Sequence, residues 1–185
     1  MQDTILIVDD EPNVISSLKR ALVDEPYAIY SVNSGEDGLK ILKQHKIKLI
    51  ISDERMPGMA GSDFLSLAKK EFPDTIRIML TGHASIDAAM KAINKGEIYR
   101  FFTKPWDEIE LKIAIRMALE KYNLEAENRR LLKIVKRQAV DLKVIEKKYP
   151  SITDLEKDKD GFIVLPEISK KEFDSIVAQI EKEYS

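Results

Sequence analysis

The chain has no cysteine among its 185 residues. That excludes disulfides, thiolate catalysis and Cys-ligated zinc, and fits a reducing compartment. It has two histidines, His45 and His83, too few for a multi-histidine metal centre. No charge of one sign dominates: 30 Lys and Arg stand against 32 Asp and Glu, a formal net charge of −2. The overall balance therefore offers no electrostatic case for nucleic acid or an anionic membrane. No apolar run approaches the roughly 18–20 residues of a membrane span. The opening "MQDTILIVDD" lacks the basic start and long apolar centre of a signal peptide. A soluble, intracellular, cytoplasmic protein is expected.

What is present alternates. A short Ile- and Val-rich run at 4–10, bounded by acids, reads as a strand buried on both faces, and the runs at 27–32, 48–53, 75–80 and 98–103 also read as strands. Between them, 13–22, 34–44, 62–72 and 85–96 carry apolar residues at helical spacing. Pro12 suits a helix start, Ser34 with Asp37 a capped start, and Gly96 a helix end. Five strand–helix alternations predict a parallel sheet with helices on both faces.

Beyond Pro105 the texture changes. Residues 107–148 contain no glycine and no proline, which predicts one long helix or two nearly continuous ones. Leu111, Ile115, Ala118 and Leu119 form a broad apolar face that would pack on the sheet. Past Tyr122 the pattern narrows to Leu124, Asn128, Leu131, Val135, Gln138, Leu142, Ile145 and Tyr149. Their spacing alternates four and three, as in a two-stranded coil, and Asn128 is a polar residue of the kind that sets register. A single amphipathic helix lying on its own domain is the alternative.

Tyr149 and Pro150 end this segment. The remainder predicts a small α+β module: a hairpin around Asp160-Gly161, then a helix capped by Ser169 and Glu172 with Phe173, Ile176, Val177 and Ile180 on one side. "EKDKDGFIVLPE" (156–167) resembles a calcium-binding EF-hand loop. Glu156 at its first position, and Pro150 and Pro166 beside it, favour a plain hairpin. Three parts are expected: a domain over 1–120, an extended helix over 121–149, and a module over 150–185.

Open parallel α/β sheets bind ligands at the carboxyl ends of their strands. Asp9 and Asp10 fall at the end of the first predicted strand, Asp53 at the third, Thr81 at the fourth and Lys104 at the fifth. Clustered carboxylates repel and call for a hard cation with oxygen ligands, such as Mg²⁺. A lysine and a hydroxyl nearby would face the oxygens of a phosphoryl group carried on one acid.

The segments "ILIVDDEP", "ISDERMPGMAGSDFL", "IRIMLTG" and "FFTKPW", in that order, resemble the receiver domain of two-component response regulators. The resemblance covers about residues 3–120, and "AINKGEIYRFFTKPWD" is similar to receivers of hydrogenase regulators and of those attached to cyclic-di-GMP phosphodiesterase domains. It implies a flavodoxin-like fold with strand order 2-1-3-4-5. It also implies phosphoryl transfer to Asp53 from a sensor histidine kinase or phosphotransfer protein. Mg²⁺ would be held by Asp10, Asp53 and the backbone carbonyl of Arg55, with Asp9 acting through water. Thr81 and Lys104 would grip the phosphoryl group, and Phe101 would be the switch aromatic. Slow loss of the chain's own phosphate is the most enzymatic activity expected.

Two rivals stand beside this. A magnesium-dependent phosphatase of the haloacid dehalogenase type needs a second Asp two residues after a nucleophilic one on the first strand, and "VDDEP" does not supply it. A receiver that only binds partners, without phosphorylation, would not need all of Asp9, Asp10, Asp53, Thr81 and Lys104. Beyond the receiver no helix-turn-helix, nucleotide-binding loop or cyclic-nucleotide output motif is visible. The expected output is thus a dimerising helix and an adaptor module acting on an unknown protein, with no direct nucleic-acid binding and no membrane contact.

Overall fold

The computed structural model describes residues 2–82, 90 and 98–148, with positions 169, 170, 174 and 175. The helix predicted at 85–96 (Met90 apart), the hairpin and the calcium-like loop at 156–167 lie outside the described residues, as does most of the final helix. The chain divides into two units, Met1–Arg130 and Leu131–Ser185.

In the first unit the elements are β1 (Asp3–Val8), α1 (Pro12–Ala21), β2 (Tyr27–Val32), α2 (Gly35–Gln44), β3 (Leu49–Asp53), α3 (Gly61–Glu71), β4 (Ile76–Thr81) and β5 (Arg100–Thr103). A helix of 41 residues, α4 (Glu108–Lys148), follows and continues into the second unit. The five strands are parallel and ordered β2-β1-β3-β4-β5. This is the flavodoxin-like order.

The apolar strands are continuous because the sheet has two dry faces. Ile5, Ile7, Leu49, Ile51, Ile78 and Leu80 point to one face, under Leu18 of α1 and Leu111, Ile115 and Ala118 of α4. Leu6, Val8, Ile50 and Met79 point to the other, under Leu42 of α2 and Phe64, Leu65 and Ala68 of α3. The side chains change face at every residue, as the pleat requires. Ser34 caps α2 as predicted, accepting a hydrogen bond from the Asp37 N–H at 3.2 Å. β1 stops at Val8, so Asp9 and Asp10 stand just beyond the strand; Lys104 likewise follows β5, which stops at Thr103.

At the amino end of the sheet a polar joint fastens α4. The buried Lys48 ammonium lies 2.5 Å from Asp3 Oδ1 and donates to Asn123 Oδ1 at 2.7 Å. Asn123 Nδ2 donates back to Asp3 at 3.3 Å. Farther along α4, Arg129 pairs with Asp74 at 3.2 Å. With buried Tyr122 and half-buried Ala126, these contacts hold α4 to the sheet beyond residue 120.

Candidate functional site

At the carboxyl edge of the sheet, β3 delivers Asp53 and the β1–α1 turn delivers Asp9. Lys104, following β5, reaches across to both. Its Nζ is 2.7 Å from Asp53 Oδ1, 2.9 Å from Asp9 Oδ2 and 3.5 Å from Glu11 Oε1. The Lys104 N–H donates to the Thr81 carbonyl at 2.7 Å, which ties the lysine's backbone to the end of β4.

Each carboxylate is also held by a backbone donor two residues on. The Glu11 N–H donates to Asp9 Oδ1 at 2.9 Å, and the Arg55 N–H to Asp53 Oδ2 at 2.8 Å. Asp9 is fully buried, and Asp53 only 5% exposed. Burial pushes the Asp9 carboxyl above its usual range, and repulsion from Asp53 adds to this; the bonds to Lys104 and to the Glu11 N–H pull the other way. Burial alone would lower the Lys104 ammonium, but its bonds to Asp53 and Asp9 outweigh that and hold it above the ordinary lysine value. The directions are consistent: a poorly hydrated carboxylate and an ammonium that neutralises it.

Of the residues singled out from the sequence, Asp9, Asp53 and Lys104 meet directly. Asp10 is half-buried beside them. Thr81 is buried, and its hydroxyl donates to the Gly82 carbonyl at 3.1 Å rather than to an acid. Phe101 is half-buried, beside Met79 in the strand register, and packs against the apolar cluster on the α2–α3 side of the sheet. On α4, Leu124, Asn128, Leu131, Val135, Leu142 and Ile145 are all exposed.

Two acids at the site were not foreseen. Glu11 approaches Lys104 from the start of α1. Glu54 is buried next to Asp53 and accepts from the Ser62 N–H at 2.8 Å and the Ser62 hydroxyl at 3.1 Å. It thereby caps α3, whose own N-cap, Ala60, has no side-chain acceptor. Burial raises the Glu54 carboxyl, against the pull of those two bonds. Its place directly after Asp53 in "SDERMPGM" was the available signal, but a cap eight residues away leaves no local pattern.

The donor chemistry, carboxylate and carbonyl oxygens, suits a hard divalent cation. Among the described residues no three Asp, Glu, His or Cys side chains are gathered closely enough to hold a metal ion as they stand. Lys104 supplies the counter-charge between Asp9 and Asp53. Removing it by Lys104→Ala would leave two buried carboxylates facing one another. Without divalent cation, this is expected to destabilise the fold by roughly 2–4 kcal/mol, read as a lower urea midpoint in the presence of EDTA.

A doubly wound parallel sheet with an acid–acid–lysine cluster at its carboxyl edge defines a class, and the comparisons with known proteins make it specific. Residues 5–116 match the family model described as response regulator receiver domain, and the chain belongs to that family. The hydrogenase transcriptional regulatory protein HoxA of Cupriavidus necator is 32% identical over 130 residues, 70% of this chain and 27% of that protein. The transcriptional regulatory protein GlrR of Escherichia coli is 36% identical over 142 residues, 77% of this chain and 32% of that protein. The chain thus spans between a quarter and a third of these two curated relatives. Among solved structures, the signal receiver domain of an HD domain-containing protein from Pseudomonas fluorescens superposes with a TM-score of 0.65 at 36% identity. That match covers 68% of this chain and 93% of the receiver. The two curated relatives are named as transcriptional regulatory proteins, and no helix among the described residues is long and apolar enough to cross a membrane.

Proposed function

We propose that Asp53 is the phospho-acceptor of a two-component relay. A carboxylate oxygen of Asp53 would attack the phosphorus held on a histidine of a sensor kinase or phosphotransfer protein. The P–N bond would break with its electron pair going to the donor ring, which, protonated on its other nitrogen, leaves as neutral imidazole, and Asp53 carries the acyl phosphate. The observation that carries this is the single Lys104 ammonium within 3 Å of both Asp53 and Asp9. It can neutralise the nucleophile at rest and then turn to the oxygens of the phosphoryl group. Asp10, Asp53 and the Arg55 carbonyl, with Asp9 through water, would hold Mg²⁺, whose charge would offset that of the incoming phosphate. Thr81 would leave the Gly82 carbonyl and donate to a phosphoryl oxygen, and Phe101 would move into the space it vacates. The acyl phosphate would be lost only by slow self-hydrolysis.

Domain limits of 1–120, 121–149 and 150–185 belong to the same proposal, with the middle segment joining two copies. In its support, Ile113, Met117 and Leu124 are exposed on the side of α4 away from the sheet. In the second unit Leu131, Val135, Leu142 and Ile145 are exposed along one side of the same helix, and a coil with Leu124 and Asn128 would cover them. Sedimentation velocity tests both parts. The wild type should sediment as a dimer whose size or shape changes with beryllofluoride and Mg²⁺, while Asp53→Asn stays unchanged. Leu131→Asp with Leu142→Asp should give a monomer. A monomeric wild type would overturn the coil.

A further inference from the structure

In the second unit, the side of α4 opposite the apolar seam has a composition of its own. Lys133, Lys136, Arg137, Lys143 and Lys147 are all exposed. At roughly 100° per residue they fall within an arc of about 120°. Among the described residues none of the five has an acidic partner. Asp141, the acidic side chain described on this stretch, lies just outside the arc. Val140 and Val144, one turn apart and each 60% exposed, sit in its middle. The near-neutral whole chain therefore conceals a basic face with an apolar centre.

We infer that this face docks an acidic protein partner, one presenting a small apolar contact ringed by carboxylates, such as an amphipathic acidic helix. An apolar centre with a charged rim is the anatomy of a protein interface, and the rim's single sign selects the partner by charge complementarity. A nucleic-acid backbone would use the cations but leave two valines against phosphates and sugars, with no donor to read a base. A bilayer would take up the seam side and turn the cations away from its headgroups. A second copy would set like charges face to face. The inference rests on the dimer reading only in leaving the seam to the second copy, and it names the chemistry of the downstream partner.

The test uses the full chain and a fluorescent designed helical peptide carrying Leu at two positions one turn apart, flanked by Glu, followed by anisotropy. The wild type should bind it, more weakly as salt rises. Val140→Asn with Val144→Asn leaves the charge unaltered and should weaken binding about tenfold, the worth of two exposed valine contacts. Lys136→Glu with Lys143→Glu should abolish binding. Circular dichroism checks that the helix persists in each variant. Unaltered sedimentation of the valine pair separates this face from the seam, so a failed coil and a failed docking face give different results. No binding of the peptide, no effect of the valine pair, or tighter binding of duplex DNA or phosphatidylserine vesicles than of the peptide would overturn the inference.

Discussion

Asp53→Asn is expected to abolish labelling of the chain by acetyl phosphate while leaving it folded. The substitution keeps the shape of the side chain, so the amide oxygen can still accept the 2.8 Å hydrogen bond that the Arg55 N–H gives to Asp53. What it removes is the anionic oxygen that would form the bond to phosphorus, and an amide does not substitute for it. It also removes one of two buried carboxylates facing each other, so stability should hold or rise slightly, with Lys104 still paired to Asp9 at 2.9 Å. The same variant should lose any change in the fluorescence of Trp106 on adding beryllofluoride and Mg²⁺. Trp106 is the only tryptophan in the chain and lies two residues from Lys104. Undiminished labelling of Asp53→Asn would move the acceptor to another acid, with Asp10 the first to test.

Gly61→Ala should be the most damaging single methyl that can be added near the site. A Cβ at Gly61 would stand 1.9 Å from the Asp53 carbonyl oxygen, 2.8 Å from its carbonyl carbon and 2.9 Å from Glu54 Cα. All three are backbone atoms, so no side-chain rotation relieves the clash. The Gly61 N–H donates to the Glu54 carbonyl at 2.9 Å, closing the loop that carries the chain from the acceptor to α3. Opening it would break that bond, disturb the Glu54–Ser62 cap and shift the backbone of Asp53. A loss of about 3 kcal/mol or more is expected, measured as a fall in the urea midpoint, with slower phospho-labelling of whatever remains folded. Gly82→Ala is the control. Among the described residues a Cβ there meets nothing within 4 Å, and its stability should change by less than about 0.5 kcal/mol.

Glu54 and Gly61 also show where sequence reasoning stops. "SDERMPGMAGSDFL" displays an acid at a strand end and a turn, and Gly58, at φ +81, is the residue that turn requires. That Gly61 must lack a side chain follows only from the return of the loop onto Asp53. Glu54 reads as one more surface acid until the fold buries it against Ser62. The helix starts divide in the same way. Ser34 caps α2 through a bond three residues long, which a local pattern reveals. Nothing local distinguishes the start of α3, because its cap comes from outside the helix.

The strand order was implied only by the receiver resemblance and is seen in the sheet; the sequence by itself determined the α/β class and the acids that fall at the strand ends. These depend on periodicity and on short-range backbone preference, both written in neighbouring residues. The absence of glycine and proline from 107 to 148 left one long helix or two nearly continuous ones, and the structure makes them one. Only the tertiary structure decided that Lys104 neutralises Asp9 and Asp53 together and that Lys48 clamps Asp3 to Asn123. The paired ions are 51, 95 and 45 positions apart in the chain. Such contacts depend on where the sheet brings strand ends together, and burial then strengthens each charge pair by excluding the water that would screen it.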